Sequence, residues 1–130
     1  MINNILRYFV KIHHCMVDSP PYNGGVEMKY HPREIRTLLE RLLKQTPVVV
    51  VSGLRQSGKS TSLRHEPVLV EGRRYLTLDN FDVADQARRE PRQLVTSAPK
   101  LALDEIQRVP ELFLPVKQAV DEDRRPGRFV

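Results

Sequence analysis

Apolar side chains at Ile35, Leu38, Leu39, Leu42 and Leu43 recur at i, i+3, i+4, i+7 and i+8. That period lays one apolar stripe along a helix over residues 32–45. Pro32 suits the first helical position, and Pro47 stops the helix from continuing. The period then changes. Val48 to Ser52 is a continuous apolar run of strand length, the pattern of a parallel strand covered on both faces. Residues 59–65 start a short helix. RYLTL at 74–78 alternates weakly and predicts a second strand, followed by a helix over 79–89 that Glu90-Pro91 interrupts, with a further helical turn at 92–97. KLAL at 100–103 is a third apolar run, ending in Asp104-Glu105. Leu112, Val116, Ala119 and Val120 share one side of a helix over 111–122, with Pro115 tolerated in its first turn. Arg-Pro-Gly at 125–127 is a turn, and Arg128–Val130 are the first residues of another strand. Strands alternating with helices predict an α/β fold with a parallel sheet.

Residues 1–27 break from this rhythm. They hold the turn-rich stretch DSPPYNGG, and Arg7 and Lys11 balance Asp18 and Glu27. They read as a poorly ordered extension, and the whole net charge of +5 falls in residues 28–130. A chain of 130 residues with 40% hydrophobic content can fill one core. The positive balance favours anionic partners: nucleotide, nucleic acid or acidic lipid. The pairs Arg73-Arg74, Arg88-Arg89 and Arg124-Arg125 are scattered, as on solvated faces. The single cysteine, Cys15, excludes an internal disulfide and fits a reducing compartment. His13-His14-Cys15 does not make a metal site, because adjacent residues rarely converge on one ion. No run approaches the length of a membrane span, and Arg7 and Lys11 interrupt the N-terminal apolar stretch, so the expected location is cytoplasmic.

The chemistry concentrates where the valine run ends. Gly53-Leu54-Arg55-Gln56-Ser57-Gly58-Lys59-Ser60 has the spacing of a phosphate-binding loop, with two glycines bracketing four residues before Lys-Ser. Glycine permits backbone conformations and close approaches that a Cβ blocks, so the loop's N–H groups can surround phosphates. A helix opening near Lys59 adds its positive end to the same place. Lys59 would reach the β- and γ-phosphates, the Ser60 hydroxyl would ligate Mg²⁺, and Thr61 would sit near the α-phosphate. Arg55 is a further candidate for the γ-phosphate. The partner carboxylates come from the third apolar run: Asp104 would hold Mg²⁺ through its water shell, and Glu105 would polarise the attacking water. Asp79 reads as a helix N-cap. Arg64 and Arg108 are candidates for fingers toward a neighbour's nucleotide, with a surface role the favoured reading.

SGLRQSGKST, YLTLD at 75–79 and LALDEIQRVPELF at 101–113 resemble the AAA-type P-loop ATPases of bacteria and archaea whose long members carry a poorly characterised C-terminal domain. The resemblance covers residues 28–130, and the LDEIQ–P–LF run is its most discriminating part; Gln107 and Pro110 match without an assigned role. It implies a three-layer αβα P-loop fold with a parallel sheet, ATP and Mg²⁺ as ligands, and Asp104-Glu105 as the Walker B pair. Such proteins usually begin near the position of Met28 and continue past Gly127-Arg128-Phe129-Val130 with a strand ending in a polar sensor residue. The resemblance therefore implies the N-terminal part of an ATPase domain with an incomplete sheet. Its missing strand would lie between the phosphate-loop strand and the Asp-Glu strand, begun only by Arg128–Val130. A chain of that kind binds nucleotide weakly and hydrolyses it poorly. Two other readings stand beside it: a non-catalytic remnant acting through a protein partner or self-association, and a basic nucleic-acid-binding protein. The last lacks an aromatic stacking set or a recognised reading motif.

Overall fold

The structure, a computed structural model, describes residues 9–12, 36–53 and 59–130. Strands β1 (Phe9–Ile12) and β2 (Val50–Gly53) pair in parallel, with Phe9 opposite Val50 and Ile12 opposite Gly53. Strands β3 (Arg74–Thr77) and β4 (Leu101–Asp104) form a second parallel pair, with Arg74 opposite Leu101 and Thr77 opposite Asp104.

Residues 128–130 join the two pairs. Phe129 bridges Val48 on one side and Leu101 on the other, both in parallel. The Phe129 N–H donates to Pro47 O at 2.8 Å, and Phe129 O accepts from the Val49 N–H at 3.0 Å. Across the other edge, the Leu101 N–H donates to Arg128 O at 2.9 Å, the Val130 N–H to Leu101 O at 3.0 Å, and the Leu103 N–H to Val130 O at 2.8 Å. The order across the sheet is therefore β1, β2, residues 128–130, β4, β3. The expected place of Arg128–Val130, between the valine strand and the Asp-Glu strand, is the observed one.

Helices cover both faces, as an all-parallel sheet requires. On one face, α1 (Arg36–Gln45), α2 (Lys59–His65) and α3 (Pro67–Val70) enclose Leu39, Leu42, Leu43, Leu63 and Leu69 over Val49 and Ala102. On the other, α4 (Phe81–Arg89), α5 (Pro91–Val95) and α6 (Phe113–Glu122) bury Ala84, Leu94, Val116 and Val120 over Leu76, Leu101, Leu103 and Phe129. The strand period of two sends Ala102 to one core and its neighbours Leu101 and Leu103 to the other. Because both faces of β4 are core, its four residues are all buried, which is why it reads as an unbroken apolar run.

The seam at residues 127–130 is pinned by polar groups. Arg73 donates to Gly127 O at 2.8 Å, Leu101 O at 3.2 Å and Arg128 O at 3.3 Å, and burial pushes its guanidinium down to about 10. Gly127 has φ +67°, and a Cβ there would sit 2.8 Å from Leu43 O, so glycine is required on two counts. Its N–H donates to Thr46 O at 2.7 Å, tying the turn to the end of α1.

Four local expectations change. Part of the extension, Phe9–Ile12, is a strand beside β2 rather than loosely ordered chain; the other residues of 1–35, Cys15 and Ile35 among them, lie outside the described set. Asp79 does not cap α4. Asn80 does, its side chain accepting from the Asp82 and Val83 N–H groups at 2.9 and 3.2 Å. The last helix starts at Phe113, with Pro110–Leu112 forming a separate 3₁₀ turn, and Pro115 remains in the first turn of α6 as expected. Pro67–Val70 is an additional short helix with Pro67 at its start.

Candidate functional site

Parallel strands end at the same edge of a sheet, so β2 delivers Gly53 and β4 delivers Asp104 to one rim, where α/β proteins hold their ligands. The two strands flank residues 128–130, which sets them two strand spacings apart, about 10 Å. A groove of about 1320 Å³ opens between them, with Val49, Val51 and Leu103 in its walls and Lys59, Asp104 and Glu105 at its polar end. Helix α2, which Lys59 opens, packs against both β2 and β4. Helix α2 and the acidic strand β4 are thus direct neighbours.

Of the residues expected to hold a nucleotide, Gly53 ends β2, Lys59 and Ser60 sit half-buried in the first turn of α2, and Thr61 is exposed there. Leu54, Arg55, Gln56, Ser57 and Gly58 lie outside the described residues. Of the acidic pair, Asp104 is 6% exposed and Glu105 half-buried.

Asp104 is held through both carboxylate oxygens. Oδ2 accepts from the Tyr75 hydroxyl at 2.8 Å, and Oδ1 from the Glu105 N–H at 3.1 Å. Tyr75 stands on β3 two residues before Thr77, the partner of Asp104, so its side chain projects from the same face. The small Ala102, opposite Tyr75, leaves room for the ring. On its other side the Arg64 guanidinium lies 5.0 Å from the ring centroid, a cation–π contact. Burial first, then the bond to Asp104, holds the Tyr75 phenol above its ordinary range; Arg64 pulls the other way.

Glu105 leaves the strand in the left-handed region, φ 56° and ψ 34°, and starts the 3₁₀ turn Ile106–Arg108. Its carboxylate accepts from the Gln107 amide. Arg108 pairs with Asp79, which also lines the groove, and Arg64 faces Tyr75, so both finger candidates have partners within the chain. The bond from Tyr75 to Asp104 and that from Gln107 to Glu105 were absent from the sequence reading. For Tyr75 the available signal was its alternate spacing with Thr77 on a strand paired to LALD.

Asp104 offers one buried carboxylate at this rim, and a cation such as Mg²⁺, which keeps several waters, would need only one or two. No group of three His, Cys, Asp or Glu side chains able to hold a metal occurs among the described residues. Nor is any helix among them long and apolar enough to cross a membrane.

Comparison with known proteins finds a family model described as an AAA domain over residues 45–130. The uncharacterized protein Mb2031c of Mycobacterium bovis and the uncharacterized protein Rv2008c of Mycobacterium tuberculosis are each 32% identical over 100 residues, 75% of this chain. The match spans 22% of the length of those relatives. No solved structure matches.

Proposed function

The chain belongs to the AAA domain family, and from that premise we propose that it is a Mg-nucleotide-binding module taking ATP through a phosphate loop at Gly53–Thr61. The observation that carries this reading is convergence: the end of β2, the start of α2 and the acidic end of β4 meet at one rim of a parallel sheet, with Lys59, Asp104 and Glu105 on one groove. Lys59 neutralises charge on the β- and γ-phosphates. Ser60 and Asp104 hold Mg²⁺, Asp104 through water; its two oxygens have lone-pair sites beyond those used by Tyr75 and Glu105. The bound cation supplies charge compensation for the phosphate oxygens. Glu105 orients the attacking water; in this structure its carboxylate accepts from the Gln107 amide. The proposed location is cytoplasmic. A protein partner or a second copy of the chain is a proposal for what responds to nucleotide.

Titration with a fluorescent ATP analogue in Mg²⁺, alongside melting with and without ATP, tests the reading. Binding with an upward melting shift is expected. Lys59→Ala should weaken binding by at least 10-fold, and Glu105→Gln should leave binding intact while removing any phosphate release. Salt-sensitive DNA binding without nucleotide binding would instead support the basic nucleic-acid reading.

A further inference from the structure

Tyr75 belongs to the YLTLD motif, and the nucleotide reading gives it no role. Its hydroxyl nevertheless makes the 2.8 Å bond to Asp104 Oδ2, on a carboxylate that is 6% exposed. We infer that Tyr75 is a positioning residue for the cation that accompanies the nucleotide: its hydroxyl fixes the orientation of the Asp104 carboxylate, and Arg64 fixes the ring. The inference rests on the Mg-nucleotide reading above.

A carboxylate's terminal torsion is broad, so an Asp held at one oxygen still turns. Asp104 is held at both, by Tyr75 and by the Glu105 N–H, on opposite oxygens. The remaining lone pairs then point in set directions, which a rigidly hydrated cation such as Mg²⁺ demands. Tyr75 is itself located from two sides. Its backbone lies in the β3–β4 ladder, and the Arg64 guanidinium stands over its ring at 5.0 Å. Arg64 belongs to the last turn of α2, the helix that Lys59 opens. One line of side chains, Arg64–Tyr75–Asp104, thus connects the helix that meets the phosphates to the carboxylate that meets the cation. Phenylalanine would keep the ring, its packing and the guanidinium over its face, and would lose the hydroxyl that serves Asp104.

The test reads the ratio of ATP dissociation constants measured in EDTA and in Mg²⁺. Tyr75→Phe should lower that ratio by about 10-fold, the usual effect of losing a group that orients a metal ligand, with metal-free affinity unchanged. Asp104→Asn should bring the ratio near one, and adding Tyr75→Phe to it should change nothing more. A packing role alone would move the melting temperature and leave the ratio as it was, which overturns the inference while nucleotide binding stands. If the wild-type chain binds no ATP in either buffer, the nucleotide reading fails and this inference with it. Should the phenylalanine variant not fold, Arg64→Met decides: a lowered ratio supports the positioning line, and an unchanged one overturns it.

Discussion

Glu105 is where the chain's chemistry and its backbone conflict. A non-glycine residue in the left-handed region costs about 1 kcal/mol, yet Glu105 sits there at φ 56°, immediately after the buried Asp104. The conformation turns the chain off the strand, into the 3₁₀ turn at Ile106–Arg108 and alongside the groove. Glu105→Gly should therefore stabilise the fold by about 1 kcal/mol in a urea titration, while abolishing any phosphate release. A Glu105→Gly variant less stable than wild type would show that the Gln107 bond outweighs the strain. The strand that ends at Asp104 was legible from sequence because its residues form an unbroken apolar run, buried on both faces. The twist at Glu105 was not legible, since glutamate carries no left-handed preference and the turn is imposed by what packs around it. The Tyr75 bond was hidden for a different reason: it joins residues 29 apart and depends on strand register.

At the level of elements, the start of α4 shows why boundaries shift by a residue. Asp79 and Asn80 are both good capping types. The backbone decides between them: the Leu78 N–H continues the ladder to Asp104 O, and the Asn80 N–H closes a turn onto Thr77 O, which moves the helix start one residue along. Asp79 is released to pair with Arg108. Asn80→Ala should cost about 1 kcal/mol, and Asp79→Ala distinctly less, since an exposed ion pair contributes little; urea midpoints of the two variants measure the difference. Helix α1 and strand β4 were readable from a full apolar pattern, and β3 from a weaker alternation. Strand β1 was not, because Phe-Val-Lys-Ile, though rich in strand formers, is a short run whose register beside β2 is a long-range pairing.

For the whole molecule, the seam at residues 127–130 decides whether there is one body or two. The two apolar clusters lie on opposite faces, and among the described residues Phe129 and its neighbours carry the hydrogen bonds between the pairs β1–β2 and β3–β4, while α2 packs across both. Phe129 is 2% exposed, and Phe129→Ala should cost about 3–5 kcal/mol, a large part of the 5–15 kcal/mol typical of a domain. Arg73→Lys should also destabilise, because a single ammonium cannot replace a planar fork serving three carbonyls. Thermal melts of both variants check this. The αβα layering and the central place of Arg128–Val130 were anticipated from alternating periods and from the family resemblance. The polar clamp was not, because Arg73 looks like half of an ordinary exposed pair beside Arg74.

A four-residue seam that supplies hydrogen bonds to both sides acts as a mechanical fuse. The N–H groups of Val49, Leu101, Leu103, Phe129 and Val130 all depend on it, so their deuterium exchange rates should rise and fall together as denaturant is added. If Val49 exchanges at a free energy well apart from Leu101 and Leu103, the halves open separately. The strip between them would then be the first place where proteases, misfolding or a competing strand gain entry.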